Sequence, residues 1–368
     1  MSEAVMTNEA YMRHAIALAE RGSGFVNPNP LVGAVIVKDG CIIGEGFHEK
    51  YGTPHAERNA LSHCTEDPAG AEMYVTLEPC CHYGKNPPCT EAVIAAGIRR
   101  VYVGSDDPNP LVAGKGLQML RDAGIAVETG ICKEECDRIN RIFFHYITTK
   151  LPYGILKTAM TADGKTATRT GKSKWITNEL SRAHTHETRK RCAAILCGIG
   201  TVLADDPMLS CRCENPSHPV RVVCDSRLRI PLQSKLVQTA REIPTYIATC
   251  SRDAEKTAAL EAHGVHVLMT GEDDDGHVDL RALMCKLGAM QLDSILIEGG
   301  ASLHEAALRT GIVQQVQIYL APMLFGGADA TPAIGGRGVA EVAEAYRLSE
   351  PEITRFGDDL LLEYQMRR

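Results

Sequence analysis

The chain is expected to fold as two consecutive α/β domains, one over residues 1–149 and one over 150–368. Three observations predict this. Short apolar runs of strand character alternate with helical patterns along almost the whole length. A length of 368 residues favours two or three domains, each with its own core. Finally, after a helical stretch ending near Thr149, Leu151-Pro152-Tyr153 restarts the chain as the strand pattern YGILKTAM, which sets the boundary.

In the first domain, Tyr11, Ala15, Leu18 and Ala19 recur at helical spacing until Gly22 stops the helix. LVGAVIVK and CIIGEGF read as a strand pair joined at Asp39-Gly40, a dipeptide suited to the tight hairpin turn. A helix beginning near His55, the strand MYVTLEP and a helix from about Cys89 to Ala96 follow. RRVYVG, the helix LQMLRDAG and the short strand IAVE continue the alternation on one mixed sheet. In the second domain AAILCGIG, VRVVCDS, PTYIATC, VHVLM and SILIEGG are strand-like, with helical stretches between several of them. QVQIYLAP and DLLLEYQM are expected to close the sheet edge. GEDDDGH, from Gly271 to His277, is a solvated acidic loop, and no internal repeat is present.

Composition narrows the class of function. A net charge of -7 leaves no electrostatic footprint for nucleic acid or for anionic membranes. The opening MSEAVMTNEAYMRHA has no apolar signal core, and no run approaches the ~18 apolar residues of a membrane span, so a cytoplasmic protein is expected. Fourteen cysteines in a chain this long fall short of a disulfide scaffold, and most sit in apolar runs as small buried hydrophobes. Cys132 with Cys136, and Cys211 with Cys213, lack a partner pair at zinc-finger spacing.

The strongest chemical signal is His55-Ala56-Glu57 followed by Pro79-Cys80 and Cys89. One imidazole and two thiolates make a three-ligand zinc site with an open fourth position, where water is activated. Both ends of the set fall at predicted helix starts, whose partial positive charge favours thiolate. Glu57, two residues from His55, is placed to move protons without binding metal. The pattern H-x-E…P-C…C is that of zinc deaminases acting on purine- or pyrimidine-like rings. The competing reading is a closed structural zinc with His82 as fourth ligand. Cys80 and Cys89 lie further apart than the usual P-C-x-x-C; Cys81 is the poorer ligand because adjacent residues rarely reach one metal. The intervening loop brings His82 and Lys85 to the mouth of the site, where they serve the site or are simply solvated.

The second domain is less explicit. In SILIEGGASLHEAAL an apolar strand runs into Glu298-Gly299-Gly300 and a helix, which suits either a phosphate loop or a plain strand-to-helix turn. Lys157, Asp163, Lys165, Ser173 and Trp175 follow the first strand, Arg189 lies on the next helix, and GIGTVLADDPMLSCR adds Thr201, Asp205, Leu209 and Arg212. Arg189 and Arg212 are candidates for a substrate phosphate, whose dianion suits a guanidinium fork. Trp175, the single tryptophan, either stacks on a nicotinamide or caps the core.

NPNPLVGAVIV, HAERNAL, TLEPCCHYGKNPPC and DPNPLVAGKG, with ILKTAMTADGK, GKSKWIT, GIGTVLADDPMLSCR, VCDSRLRIP and IEGGASL, cover nearly the whole chain. In this order they resemble the bifunctional riboflavin-biosynthesis deaminase/reductase family. The resemblance implies a cytidine-deaminase-like α/β/α domain followed by a dihydrofolate-reductase-like domain. It implies zinc-dependent deamination of 2,5-diamino-6-ribosylamino-4(3H)-pyrimidinone 5′-phosphate, then NADPH-dependent reduction of the ribosyl group to ribityl. His55, Cys80 and Cys89 would hold zinc, with Glu57 as proton shuttle. Asn29, His48, His82, Lys85 and Asn109 would line the pyrimidine and phosphate pocket. Ser173, Arg189, Leu209, Arg212 and Glu298 would contact the ribosylamino phosphate. Ala159, Trp175, Thr201, Asp205, Ser226 and the run Gly300, Ala301, Ser302, Leu303, His304, Glu305, Ala306 would hold the dinucleotide, with Asp205 near the reacting carbon. Ser226, Arg227 and Arg229 are placed to favour the extra phosphate of NADPH. Cys81 departs from the family form, where a small hydroxyl residue is expected.

A nucleoside, nucleotide or tRNA deaminase with an unrelated appendage is disfavoured by the acidic charge, the long cysteine spacing and the matched second domain. A binding module with structural zinc is disfavoured by Glu57, and one-domain activity by the intact motifs of both halves. The reductase sheet edges make a homo-oligomer plausible.

Overall fold

The computed structural model describes residues 6–83 and 87–367 and divides into two compact units, Met1–Lys150 and Leu151–Arg368. In the first, α1 (Asn8–Glu20) precedes the hairpin β1 (Gly33–Lys38) and β2 (Cys41–Phe47). Asp39 and Gly40 both take positive φ, 49° and 82°, as the two-residue turn requires. α2 (Ala56–Ser62), β3 (Glu72–Leu77), α3 (Cys89–Ala95), β4 (Arg100–Ser105), α4 (Lys115–Asp122) and β5 (Ala126–Thr129) follow. The helical end of the unit is two helices, α5 (Lys133–Ile139) and α6 (Arg141–Thr149).

The sheet order is β2-β1-β3-β4-β5, antiparallel around β1 and parallel from β3 to β5. Both faces are covered, so the central strands are apolar throughout rather than alternating. Ala34, Ile36, Met73, Val75, Val101 and Val103 face one core. Val35, Val37, Tyr74 and Tyr102 face the other with α1, where the Tyr74 and Tyr102 rings stack at 4.5 Å. Gly46 sets the position of α2: a Cβ there would lie 2.2 Å from the Ala60 backbone nitrogen.

The second unit contains β6 (Tyr153–Thr161), β7 (Lys165–Ala167), α7 (Glu179–Arg191), β8 (Ala194–Gly198), α8 (Ile199–Asp205) and β9 (Val220–Cys224). Then come α9 (Lys235–Gln238), β10 (Thr245–Thr249), α10 (Ala254–Ala262), β11 (His266–Met269), α11 (Leu280–Ala289), β12 (Ser294–Ile297) and α12 (Ala301–Arg309). β13 (Gln315–Ala321), β14 (Thr331–Pro332), β15 (Glu352–Phe356) and β16 (Asp359–Gln365) complete it. A nine-stranded sheet runs β11-β10-β9-β8-β12-β6-β13-β16-β15. It is parallel from β11 to β13, and β16 and β15 add antiparallel strands. The edge therefore belongs to β15, which the apolar pattern did not reveal because its residues are nearly all exposed. Apolar side chains fill both faces of the parallel region, leaving the carboxyl ends of β6, β8, β9 and β12 to open into a cavity.

Candidate active sites

In the first unit, His55 is the N-cap of α2 and Cys89 opens α3. Cys80 follows β3 at the end of a short turn. His55 Nδ1 lies 3.5 Å from Cys80 Sγ and 3.4 Å from Cys89 Sγ, and the three donor atoms fall within 4.8 Å of one another. Zinc–sulfur and zinc–nitrogen bonds at a tetrahedral angle separate such donors by roughly 3.6 Å, so the set fits zinc in size and in chemistry. The thiols respond to one another. Hydrogen bonding from Cys89, then from His55, overcomes burial and holds Cys80 down at about 4, as a ligand thiolate requires. His82 is not part of this donor set among the described residues.

Neighbouring groups hold the ligands in place. Arg58, on α2, donates to the carbonyls of Pro87 and Pro88 at 3.2 and 2.8 Å and so ties the segment before Cys89 to the helix that starts at His55. Glu78, next to Pro79-Cys80, accepts from the backbone N–H groups of Gly114, Gly116 and Leu117 at 3.0, 3.0 and 3.3 Å. Its carboxylate caps the start of α4. Gly116 permits the approach, since a Cβ there would lie 2.2 Å from the Pro79 carbonyl oxygen. Neither role was read from the sequence, although Glu78 directly precedes the Pro-Cys pair.

Glu57, 3 % exposed, sits one residue into α2. Burial, then the Cys80 charge, push its carboxyl up to about 7. His48 is buried and its ring meets that of His55 edge-on at 5.4 Å. Its Nδ1–H donates to the Pro54 carbonyl at 3.2 Å, and its Nε2 accepts from Asn29 Nδ2 at 3.2 Å. Burial lowers its pKa, so it is held neutral. His82 has a buried Nδ1 with no hydrogen-bond partner among the described residues. The Asn109 side-chain oxygen accepts from the Leu111 N–H at 3.1 Å, fixing the turn after Pro108. Lys85 lies outside the described residues.

In the second unit a cavity of about 1510 Å³ is lined by Ala159, Ser173, Trp175, Thr201, Asp205 and Ser226, by Glu298, Arg189 and Arg212, and by residues 300–306. Leu209 is the exception among the expected residues: it is buried with φ 49° and is not part of the lining. Trp175 is 65 % exposed and carries the Arg182 guanidinium over its ring at 4.4 Å, so it does not cap the core. The Ser226 hydroxyl accepts from the Val278 N–H at 3.1 Å, and Arg227 and Arg229 share its wall of the cavity.

Arg189 and Glu298 form a two-point ion pair, Nε to Oε1 at 2.6 Å and Nη2 to Oε2 at 2.7 Å, while Arg189 Nη1 donates to the Ser210 carbonyl at 3.0 Å. Burial raises the Glu298 pKa, but the Arg189 charge and hydrogen bonds, with Lys157, outweigh it and hold the carboxyl at about 2. The Arg189 fork is thereby committed to a carboxylate. Arg212 has no carboxylate partner among the described residues and opens to the cavity. Lys157 sits beside this pair with its ammonium 5.4 Å from the Tyr319 ring centre. His186, one turn before Arg189 on α7, also faces the cavity. Its spacing of three from Arg189 was the available signal.

Residues 6–105 match the cytidine and deoxycytidylate deaminase zinc-binding region, and residues 152–362 match the RibD C-terminal domain. The chain is 55 % identical to riboflavin biosynthesis protein RibD of Actinobacillus pleuropneumoniae, over 98 % of this chain and 95 % of that one. It is 40 % identical to the Escherichia coli protein of the same name, over 97 % and 99 %. Among solved structures, a Thermotoga maritima protein described as a diaminohydroxyphosphoribosylaminopyrimidine deaminase/5-amino-6-(5-phosphoribosylamino)uracil reductase superposes with a TM-score of 0.88 at 36 % identity, covering 98 % of this chain and 99 % of that one.

Proposed function

Because this chain belongs to the RibD family of riboflavin-biosynthesis proteins, we propose that it carries out two successive reactions on one phosphorylated pyrimidine. Its activities are those of a zinc-dependent deaminase and an NADPH-dependent reductase. The proposed substrate is 2,5-diamino-6-ribosylamino-4(3H)-pyrimidinone 5′-phosphate and the final product 5-amino-6-ribitylaminouracil 5′-phosphate. The observation that carries the reading is the three-donor set of His55, Cys80 and Cys89 beside a buried Glu57. The deaminase unit spans residues 1–149 and the reductase unit 150–368.

In the deaminase, His55, Cys80 and Cys89 hold zinc. Bound zinc lowers the pKa of a water to about 7, which makes the nucleophile available at neutral pH. With zinc held by these residues, Glu57 would take a proton from the activated water at its carboxylate and deliver it to the departing amine, the water's second proton passing to the ring nitrogen; the carbon–oxygen bond forms, the carbon–nitrogen bond breaks, and ammonia leaves. Neutral His48, held by Asn29 and Pro54, packs edge-on against the His55 ring. His82 and Asn109 are assigned to the pyrimidine and phosphate pocket on the resemblance, as is Lys85, which lies outside the described residues.

In the reductase, Ala159, Trp175, Thr201, Asp205, Ser226 and residues 300–306 would hold the dinucleotide, the N-terminus of α12 being suited to an anionic group. NADPH, when bound, supplies the hydride. Ser173, Arg212 and the paired Arg189 and Glu298 border the ribosylamino phosphate, Arg212 taking the phosphate; Leu209, expected there from the resemblance, lies outside the lining. The sugar's first carbon, in the open imine, would receive that hydride and the imine nitrogen a proton from solvent, giving the ribityl amine.

No described helix is long and apolar enough to cross a membrane. All fourteen cysteines are free, which supports a reducing, cytoplasmic setting. Ile353, exposed on the edge strand β15, supports assembly into a homo-oligomer.

The test is incubation of the zinc-loaded protein with the diaminopyrimidinone substrate, with and without NADPH, followed by mass spectrometry. Deamination alone without NADPH, and the deaminated ribityl product with it, are expected. Glu57→Gln should lose ammonia release while keeping its zinc; full activity in that variant refutes the proton-transfer role.

A further inference from the structure

Beyond the residues already assigned, the first turn of α7 carries a side chain that holds part of the reductase cavity's rim. Residues 173–177 all line the cavity, and Ser173 and Trp175 are the two of them assigned to ligands. Trp175 is largely exposed, so burial does not fix its ring. Arg182, which also lines the cavity, supplies the hold. Its guanidinium carbon lies 4.4 Å from the centre of the indole, and its Nη1 donates to the Thr177 carbonyl at 2.6 Å. One planar group meets both the ring and the backbone two residues beyond it.

The base from which Arg182 reaches is anchored. Asn178 caps α7 by accepting from the Ser181 N–H at 3.0 Å, and its Nδ2 donates to the Phe356 carbonyl at 2.6 Å. The Asp359 carboxylate accepts from the Asn178 N–H at 2.8 Å and from the Ser181 hydroxyl at 2.7 Å. The helix start is tied in this way to β15 and β16, and Arg182 with it. Competing charges are weak. Glu179, 3.8 Å from Arg182, is exposed, and so is Lys174, 3.9 Å from Asp205, so solvent and salt screen both pairs. Arg182 itself is partly buried, where a cation over an indole attracts it more strongly than in open water.

We propose that Arg182 is a positioning residue of the reductase: it acts through Trp175, holding the indole in one orientation on the cavity rim so that the ring surface left open meets the dinucleotide. This rests on the assignment of Trp175 to NADPH. An exposed indole free to turn about its two side-chain bonds loses that freedom each time a ligand packs against it. With the guanidinium seated on the ring, the loss occurs on folding instead, and the cofactor meets a preset surface. The effect belongs to cofactor binding and not to the hydride step, so it is read in the Michaelis constant for NADPH.

Trp175 is the single tryptophan, so its emission reports on this ring alone. In the zinc-loaded full chain, acrylamide quenching of that emission and the Michaelis constant for NADPH are measured in Arg182→Met, Arg182→Lys, Trp175→Leu and the double variant of Arg182→Met with Trp175→Leu. Arg182→Met keeps an apolar stem and removes the cation and its donors. It is expected to raise the quenching constant about twofold and the Michaelis constant for NADPH about fivefold, with kcat within about twofold. Arg182→Lys, which restores a cation but not the planar stack, should recover part of the loss. In the Trp175→Leu background, Arg182→Met should change the Michaelis constant less than about twofold, because its action runs through the ring. If Trp175→Leu leaves the Michaelis constant for NADPH unchanged, the assignment of Trp175 itself is wrong. If Trp175→Leu raises it but Arg182→Met does not, or if the two losses multiply in the double variant, the role given to Arg182 is wrong. A Michaelis constant that rises with quenching unchanged also overturns the proposal, since Arg182 would then act on the cofactor without the ring. Should Arg182→Met fail to fold, Arg182→Gln is read in its place: it keeps a donor for the Thr177 carbonyl but no cation for the indole, so both constants should still rise.

Discussion

Removing the Arg189 side chain tests how the reductase unit tolerates a charge in its interior. The Arg189 and Glu298 side chains are only 15 % and 10 % exposed. In Arg189→Met the volume is nearly kept, but Glu298 is left buried without its partner. Breaking such a pair from one side costs about 3–5 kcal/mol. A second route leads to the same order: a carboxyl held at about 2 instead of its ordinary 4.5 is stabilised by roughly 3 kcal/mol on folding. Because the folded pKa is depressed, this contribution is present above pH 4.5 and is lost as pH falls through about 2. In the variant the sign reverses. Burial then raises the Glu298 pKa, so the penalty is largest at neutral and alkaline pH and shrinks toward pH 4.5. For a unit of this size the expected fall in melting temperature is on the order of 10 °C. Calorimetry across pH 5–8 measures it, and emission from Trp175, the single tryptophan, assigns the transition to this unit. The double variant Arg189→Met with Glu298→Leu should recover much of the loss. A single variant within about 1 kcal/mol of the parent, or a double variant that merely sums the two single losses, refutes the reasoning.

Three further outcomes are expected. Removing zinc with a chelator should abolish ammonia release while NADPH oxidation with the deaminated intermediate continues; parallel loss of both activities would contradict separate sites. Gly46→Val should destabilise the deaminase unit by about 1–3 kcal/mol and weaken zinc retention, because its Cβ meets the Ala60 backbone nitrogen at 2.2 Å and displaces the helix that starts at His55. Denaturant titration with metal analysis measures both effects. Arg227→Ala should raise the Michaelis constant for NADPH and leave that for NADH unchanged, since the guanidinium lines the cavity beside Ser226; equal discrimination before and after removes Arg227 from cofactor choice.

Much of the deaminase site was legible along the chain because its chemistry depends on residue type at short range. His55 and Glu57 lie two positions apart at one helix start, and Cys80 and Cys89 flank one loop, so motif and geometry coincide. Strands buried on both faces were equally readable, since β1, β3, β4, β8 and β12 are continuous apolar runs. β15 was not, because an edge strand exposed to solvent has no apolar signature and is defined by its pairing with β16.

Residue order by itself determined the two-unit α/β architecture, the hairpin turn at Asp39-Gly40 and the zinc donor set, all consequences of local propensity or close spacing. Only tertiary structure decided how the reductase residues divide their work. Arg189 and Glu298 are 109 positions apart, and nothing in their sequence neighbourhoods says that one neutralises the other. Their pairing commits the first arginine, while Arg212, with no carboxylate partner among the described residues, borders the cavity and Leu209 is not part of its lining. The physical reason is that hydrogen-bond partners and burial are set by three-dimensional proximity, and these decide which of several identical side chains keeps donors free for a ligand.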